Sequence, residues 1–338
     1  MNRVAPPPAR ALVGLLAGAR LAQAISVAAR LGLADLLDVG SRTPAELAAS
    51  TGTNADALHR MLRTLAGAGI FEEEAGGRFR LTPLAGPLRS TAPDSISAYA
   101  VMAGERWIWQ ALGAMEHTVR TGEPAFEHVF GMPLFDYYAR HPDAGRVSVE
   151  GLRSIGRGED AAVASAYDFS RATTIVDLGG GQGGLLAAIL RMAGEARGTL
   201  FDLPHVMDAA RRQFEQAGVA TRVRLQTGDF FKSVPSGGDV YLLRKVLHDW
   251  DDDKARAILK VCRRAMTSEA RLLIVETLVA AGNTPCHAKD LDLLMLVYTG
   301  GRERTEQEYR ELLHATGFAL ERTLATSSTM SIIEAKPV

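Results

Sequence analysis

A chain of 338 residues, 47% hydrophobic and 23% charged, has the composition of a soluble globular protein and a length that favours two domains. Its formal net charge of −1 offers no general attraction to nucleic acid or to an anionic membrane surface. Its two cysteines, Cys262 and Cys286, give no basis for a disulfide framework or a cysteine-rich metal site.

In chain order, Arg3 and Arg10 precede "ALVGLLAGA", which imitates a signal peptide. The apolar pattern nevertheless continues past Arg20, Gln23 and Arg30 at helical spacing. This predicts one amphipathic helix over about 11–38 and a cytoplasmic chain, and the same charges argue against a membrane span. In "SRTPAELAAS", Thr43 is a candidate N-cap, Pro44 suits the first helical position and Glu46 completes a capping box. A second helix starts at Asn54, with Leu58, Met61, Leu62 and Leu65 on one face, and "FEEEAGGRFRLTP" reads as a hairpin turning at Gly76 and Gly77. Helix, turn, helix, hairpin is the order of a winged helix. His59, Arg60 and Arg63, set against Asp56, are too sparse for a phosphate-binding face, so packing or dimerisation is expected of it rather than DNA binding.

Residues 95–165 read as further helices rich in aromatic side chains, some of which are candidates to line an apolar pocket. From 173 onward strands alternate with helices. Strands are predicted at 173–178, 198–202, 222–227, 239–243 and 270–276, with helical stretches at 184–193, 205–217 and 252–267. That alternation signals a parallel, doubly wound sheet. "FALERTLAT" and "MSIIEAKP" lie too close together for a crossover helix and should form an antiparallel hairpin, which gives a seven-stranded sheet with one reversed strand.

"TTIVDLGGGQGG" runs from a strand through Gly179, Gly180, Gly181, Gln182, Gly183 and Gly184 into an apolar helix, where backbone amides can approach a ligand closely. The spacing fits the loose dinucleotide pattern, so the following strand ends must decide the ligand. Asp202 can accept bonds from ribose hydroxyls, which suits a nicotinamide dehydrogenase and an S-adenosylmethionine enzyme equally. Asp229 and Phe230, in "GDFF", can bond and stack on an adenine. Asp177, two residues before the first glycine, favours the second ligand, because a carboxylate there faces a cation better than a pyrophosphate.

"RKVLHDWDD" (244–252) places His248 after an apolar run, as a proton acceptor, a metal ligand or a structural histidine at a strand end. His248, Asp249 and Asp251 look like ligands on paper. The acids from Asp251 to Asp253 are better explained as the solvated start of a helix, and no second histidine stands at useful spacing, so no metal is expected.

In order, the motifs "DLGGGQGG" (177–184), "FDLP" (201–204), "GDFF" (228–231), "RKVLHDWDD", "IVET" (274–277) and "GGRERT" (300–305) resemble those of the class I S-adenosylmethionine-dependent O-methyltransferases. The resemblance covers nearly the whole chain. It is strongest to the dimeric small-molecule branch that includes plant caffeate and isoflavone O-methyltransferases and bacterial enzymes acting on aromatic natural products. It implies a Rossmann-like sheet domain and a winged-helix-like N-terminal domain that forms a homodimer, with no nucleic-acid or membrane partner. The expected boundaries are 1–95 for dimerisation, 96–165 for a helical linker contributing to the pocket, and 166–338 for the cofactor domain.

By the same resemblance, Gly179 and Gly181 hold the cofactor through the loop, Asp202 the ribose, Asp229 and Phe230 the adenine, and Arg244 lies near its amino-acid end. His248 matches the general base, flanked by Glu276 and Glu303, and Trp250 helps to wall the site. Candidate pocket positions from the helical region are Met102, Trp107, Trp109, Phe126, Phe135 and Tyr138. Met295 and Tyr298 join them from the later chain. The chain departs from the family pattern at Gln182, at Arg244 (lysine in plant members) and in "RVSVEGL" (146–152). The expected reaction is methyl transfer to a phenolic hydroxyl of a small aromatic or polyketide-type metabolite. Its rivals are hydroxylation, decarboxylation or pericyclic chemistry on the same fold and, from another class, a DNA-binding regulator.

Overall fold

In the computed structural model, which describes residues 7–338, the chain divides into two units. One takes the residues up to Gln110 together with Phe135–Gly156; the other takes Ala111–Leu134 and Arg157–Val338. The helical segment 96–165 is thus shared between them.

The first unit starts with α1 (Pro8–Arg30), α2 (Leu33–Asp38), α3 (Pro44–Thr51) and α4 (Ala55–Gly67), followed by a hairpin of β1 (Phe71–Glu74) and β2 (Arg78–Leu81). The single helix predicted over about 11–38 is two helices. Gly32 adopts φ +62, a left-handed conformation that no helix interior uses, and its N–H closes α1 by donating to the Ala29 carbonyl at 3.0 Å. Both predicted starts hold. Thr43 Oγ1 accepts from the Glu46 amide at 3.2 Å while the Glu46 carboxylate accepts from the Thr43 amide, and Asn54 Oδ1 accepts from the Ala57 amide at 3.0 Å. Leu47, Leu62, Leu65 and Phe79 are fully buried where these elements meet. On α1, by contrast, Leu12, Val13, Leu15 and Leu16 are 62–76% exposed. Among the described residues it is the one helix long and apolar enough to cross a membrane.

The second unit is built on a seven-stranded sheet in the order β5 (Val223–Thr227), β4 (Arg197–Asp202), β3 (Thr174–Leu178), β6 (Val240–Arg244), β7 (Arg271–Glu276), β9 (Ser331–Pro337), β8 (Phe318–Ala325). All neighbours run parallel except β9, which is antiparallel to β7 and to β8, so the sheet has the one reversed strand that the sequence predicts. Alternate residues feed opposite faces. Val240 and Leu242 join a core with the helix Gly184–Met192 and Phe214, whereas Tyr241 and Leu243 join one with the helices Asp252–Ala265 and Glu306–His314. Near-continuous apolar runs are what a sheet covered on both sides requires. Each fully buried aliphatic side chain there contributes about 1.5–3 kcal/mol.

Strand order reverses at β3: the chain proceeds outward to β4 and β5, then returns to β6 on the other side. The loops leaving the carboxyl ends of β3 and β6 therefore diverge, and the gap between them is where such sheets bind ligands.

Candidate active site

The loop after β3 is shaped by close packing. Gly179 and Gly181 take φ +67 and +57. A Cβ on Gly180 would stand 2.3 Å from Asp177 Oδ2, so the chain folds directly over that carboxyl group. Asp177 is 1% exposed and neither of its oxygens has a hydrogen-bond partner. Burial pushes its pKa up to about 7, Arg244 pulls it down, and Asp202 and Asp160 add to the rise. Two orphaned oxygens beneath a glycine loop suit a ligand that brings a cation or hydrogen-bond donors.

Asp202, at the end of β4, accepts from the Gly181 amide at 2.8 Å and from its neighbour Leu203, so it also fastens the loop. Asp229 accepts from the Phe231 amide at 2.9 Å. Phe230 lies 3.4 Å from where a Gly179 Cβ would stand. A carboxylate at the second strand end and an aromatic ring against the glycine loop fit a ribose and an adenine.

Arg244, predicted near a ligand's amino-acid end, is held there by acids of this chain. Its guanidinium pairs with Glu159 at 2.9 Å and with Asp160 at 3.0 Å, and Lys245 joins Glu159 at 2.7 Å. The Asp160 carboxyl in turn lies 2.4 Å from where a Gly184 Cβ would stand, over the start of the loop's helix. Burial raises its pKa. Neither Glu159 nor Asp160 was among the sequence candidates. The "GED" at 158–160 was a visible signal, read only as part of a helix.

Beyond β6 the backbone turns sharply. Lys245 has φ +51, the one positive value outside glycine among the described residues, and a single turn of tight helix, Leu247–Asp249, carries His248. Asp251 caps the next helix by accepting from the Lys254 amide at 2.8 Å, as the acidic run predicts. His248 is 7% exposed, and its Nδ1 meets Glu303 Oε1 at 2.5 Å. A carboxylate only accepts, so Nδ1 carries a proton and Nε2 is the nitrogen left for other chemistry. Glu303 is itself held: its Oε2 accepts from Thr277 Oγ1 at 2.9 Å, and its amide donates to Asp292 at 2.8 Å. Glu276, expected beside Glu303 as a partner of the ring, uses Oε1 to accept from the Val246 and Leu247 amides, each at 3.1 Å, while its Oε2 stands 3.7 Å from Nδ1. Asp249 lies 3.7 Å from Nε2. Burial lowers the His248 pKa, but Glu276, Asp249 and Glu303 more than offset this and raise it to about 10.

Atoms of His248, Glu276 and Glu303 lie within 4.8 Å of one another, close enough to suggest a cation site. The direct Nδ1 to Oε1 bond fills its centre, and a cation with ligand bonds of about 2 Å would have to prise that pair apart.

The predicted pocket residues fall into two groups. In the second unit, Phe126 is buried with ring centroids 4.6 Å from Phe130 and 6.4 Å from Tyr298, and Met295 is on the same helix as Tyr298. Trp250 stands edge-on to Phe231 at 4.9 Å, against the phenylalanines of "GDFF". In the first unit, Trp107 packs edge-on against Tyr138 at 5.3 Å, and Met102 is buried against Gly151. Trp109 donates to the Ala103 carbonyl at 2.8 Å, and Phe135 is 45% exposed.

A family profile described as an O-methyltransferase domain matches residues 109–319, and one described as an O-methyltransferase dimerisation domain matches residues 13–89. The chain is similar to the phenazine O-methyltransferase PhzM of Lysobacter antibioticus, 47% identical over 334 residues that cover 99% of this chain and 98% of that protein. The crystal structure of LaPhzM has a TM-score of 0.93 at 47% identity, covering 98% of this chain and all of that one. NcsB1, an O-methyltransferase from neocarzinostatin biosynthesis in complex with S-adenosylmethionine and 2-hydroxy-5-methyl naphthoic acid, has a TM-score of 0.82 at 33% identity, covering 94% and 96% of the two chains.

Proposed function

The chain belongs to the small-molecule, S-adenosylmethionine-dependent O-methyltransferases that carry an N-terminal dimerisation domain, and on that premise we propose that it methylates a phenolic hydroxyl of a small aromatic natural product with His248 as the general base. The observation that carries the assignment is the buried His248–Glu303 pair at the carboxyl end of β6, beside the glycine loop.

When bound, S-adenosylmethionine supplies a methyl group already activated on a sulfonium. Gly179 and Gly181 hold it through their backbone, Asp202 meets its ribose, and Asp229 and Phe230 receive its adenine. Asp177, without a partner of its own, faces its cationic part, and Arg244 orders that end through Glu159 and Asp160.

His248 makes the acceptor oxygen nucleophilic. A phenol has a pKa of about 10. The acids around His248 raise its pKa toward that of a phenol, which brings the proton transfer closer to balance than an ordinary histidine would. Glu303 keeps Nε2 as the accepting nitrogen and stabilises the imidazolium that forms. No metal takes part in this scheme. The residues 1–95 form the dimer, 166–338 carry the cofactor, and 96–165 add to the acceptor pocket, where Phe126, Met295 and Tyr298 supply aromatic and apolar surface.

Substituting His248→Ala should leave S-adenosylhomocysteine binding intact and slow methyl transfer by about 10²–10⁴-fold, measured with isotopically labelled methyl on a panel of hydroxylated aromatics and aromatic amines. Turnover at the wild-type rate would remove His248 as the base. Label absent from every product formed would point instead to non-methylating chemistry on this fold.

A further inference from the structure

The segment Gly301–Arg304 touches the His248 turn residue by residue. Gly301 has no side chain because a Cβ would stand 2.0 Å from the His248 carbonyl oxygen. Arg302 donates its amide to that oxygen at 2.8 Å, and Glu303 takes Nδ1. Arg304 is different in kind: a fully buried arginine with no contact to the imidazole among its hydrogen bonds, whose guanidinium is divided between the backbone around it and Asp252.

One terminal nitrogen of Arg304 donates to the Leu247 carbonyl at 3.1 Å, and the other donates to the Trp250 carbonyl at 3.0 Å. Nε and that second nitrogen both reach Asp252 Oδ1, at 3.0 and 2.9 Å. The guanidinium thus joins the residue before His248, the end of the turn and the first residue of the following helix. From the opposite side Glu276 accepts the amides of Val246 and Leu247. Glu276 thus takes two donors at the start of the turn, and Arg304 takes the carbonyls on either side of His248. The turn is bounded at its start by the left-handed Lys245, so it has little intrinsic preference for this path.

We propose that Arg304 is a positioning residue for the reaction: its forked guanidinium holds the 247–250 turn so that His248 Nε2 faces the acceptor oxygen. The inference rests on the reading of His248 as the base. It follows from shape as well as charge, because the fork spans carbonyls on either side of His248 and a lysine ammonium, a single point, cannot reach both. A misplaced base is costly even when nothing else moves, since about 1 Å of displacement can cost about 10²-fold in rate.

Four proteins test it: Arg304→Lys, His248→Ala, the double variant Arg304→Lys/His248→Ala, and Asp252→Asn, which loosens the guanidinium without removing it. Arg304→Lys should lower kcat by about 10²-fold while calorimetry shows unchanged affinity for S-adenosylhomocysteine. The double variant should be no slower than His248→Ala alone, because a clamp has nothing to position once the base is gone. Asp252→Asn should fold and slow kcat by less than Arg304→Lys does. Losses that multiply in the double variant, or Arg304→Lys at the wild-type kcat, would overturn the proposal. If Arg304→Lys does not fold, Asp252→Asn decides: a wild-type kcat there marks Arg304 as a folding residue only. His248→Ala at the wild-type rate would instead remove the base assignment, a result distinct from Arg304→Lys at full rate beside an inert His248→Ala.

Discussion

An imidazole with a pKa of about 10 is mostly protonated at neutral pH, whereas an ordinary histidine is mostly neutral there. On the proposed mechanism, His248 and a phenolic acceptor must lose one proton between them before methyl transfer. Raising the pH should therefore increase kcat/KM through the alkaline range toward pH 10. An ascending limb near the ordinary histidine value of about 6.5 would contradict this surrounding of acids. Glu303→Gln removes one of the groups that raise the His248 pKa, so the limb should move to lower pH while the plateau falls, as the imidazolium loses its closest support. The pH profile of kcat/KM for the two proteins is the measurement. At this scale the pairing of His248 with Glu303 was legible, because a histidine after a buried strand and an acid in a named motif are both visible in sequence. The partnership of Glu276 with backbone amides was not legible, nor was that of Arg304 with backbone carbonyls. A side chain that recognises main chain leaves no complementary residue type to read.

At the scale of elements, the central strands β3, β6 and β7 were legible because both sheet faces are covered there, so each is a short, mostly apolar run. The segment Gly301–Arg304 has no such periodicity and belongs to no helix or strand, yet it supplies the carboxylate that meets the His248 ring. Gly301→Ala would drive a methyl group into the His248 carbonyl oxygen, now 2.0 Å from that position. It should cost about 1–3 kcal/mol of stability, seen as a lower denaturation midpoint, and should slow turnover as well. A variant with unchanged midpoint and rate would show that the turn yields without penalty. The break at Gly32 was missed for the opposite reason: leucines continue on both sides of it at helical spacing, and the pattern does not register a left-handed residue.

For the whole molecule, α1 poses the question of what covers it. Leu12, Val13, Leu15 and Leu16 lie exposed in a helix largely inside a segment that matches an O-methyltransferase dimerisation domain. A second copy of this chain is the occupant that the match supports, in place of a membrane. Replacing Leu12, Leu15 and Leu16 with glutamate should shift the protein from dimer to monomer in sedimentation velocity, and an unchanged dimer would place the contact elsewhere. The division into two domains, the seven-stranded sheet with its one reversed strand and the cofactor class could all be read from the sequence. The extent of each unit could not, because helices in 96–165 are divided between them and helical periodicity does not say which core a helix serves.

β9 lies between β7 and β8, although it is the latest strand in sequence. During synthesis, a chain made only as far as β8 has its cofactor loop and its histidine, but β7 still has an open edge, and β7 carries Glu276 at its end. Ile274 and Val275 find their β9 partners only when Ile333 and Ile332 arrive. The part of the sheet that carries Glu276 is thus among the last to close. An incomplete chain on the ribosome has the residues for methyl transfer long before it has the architecture that holds them.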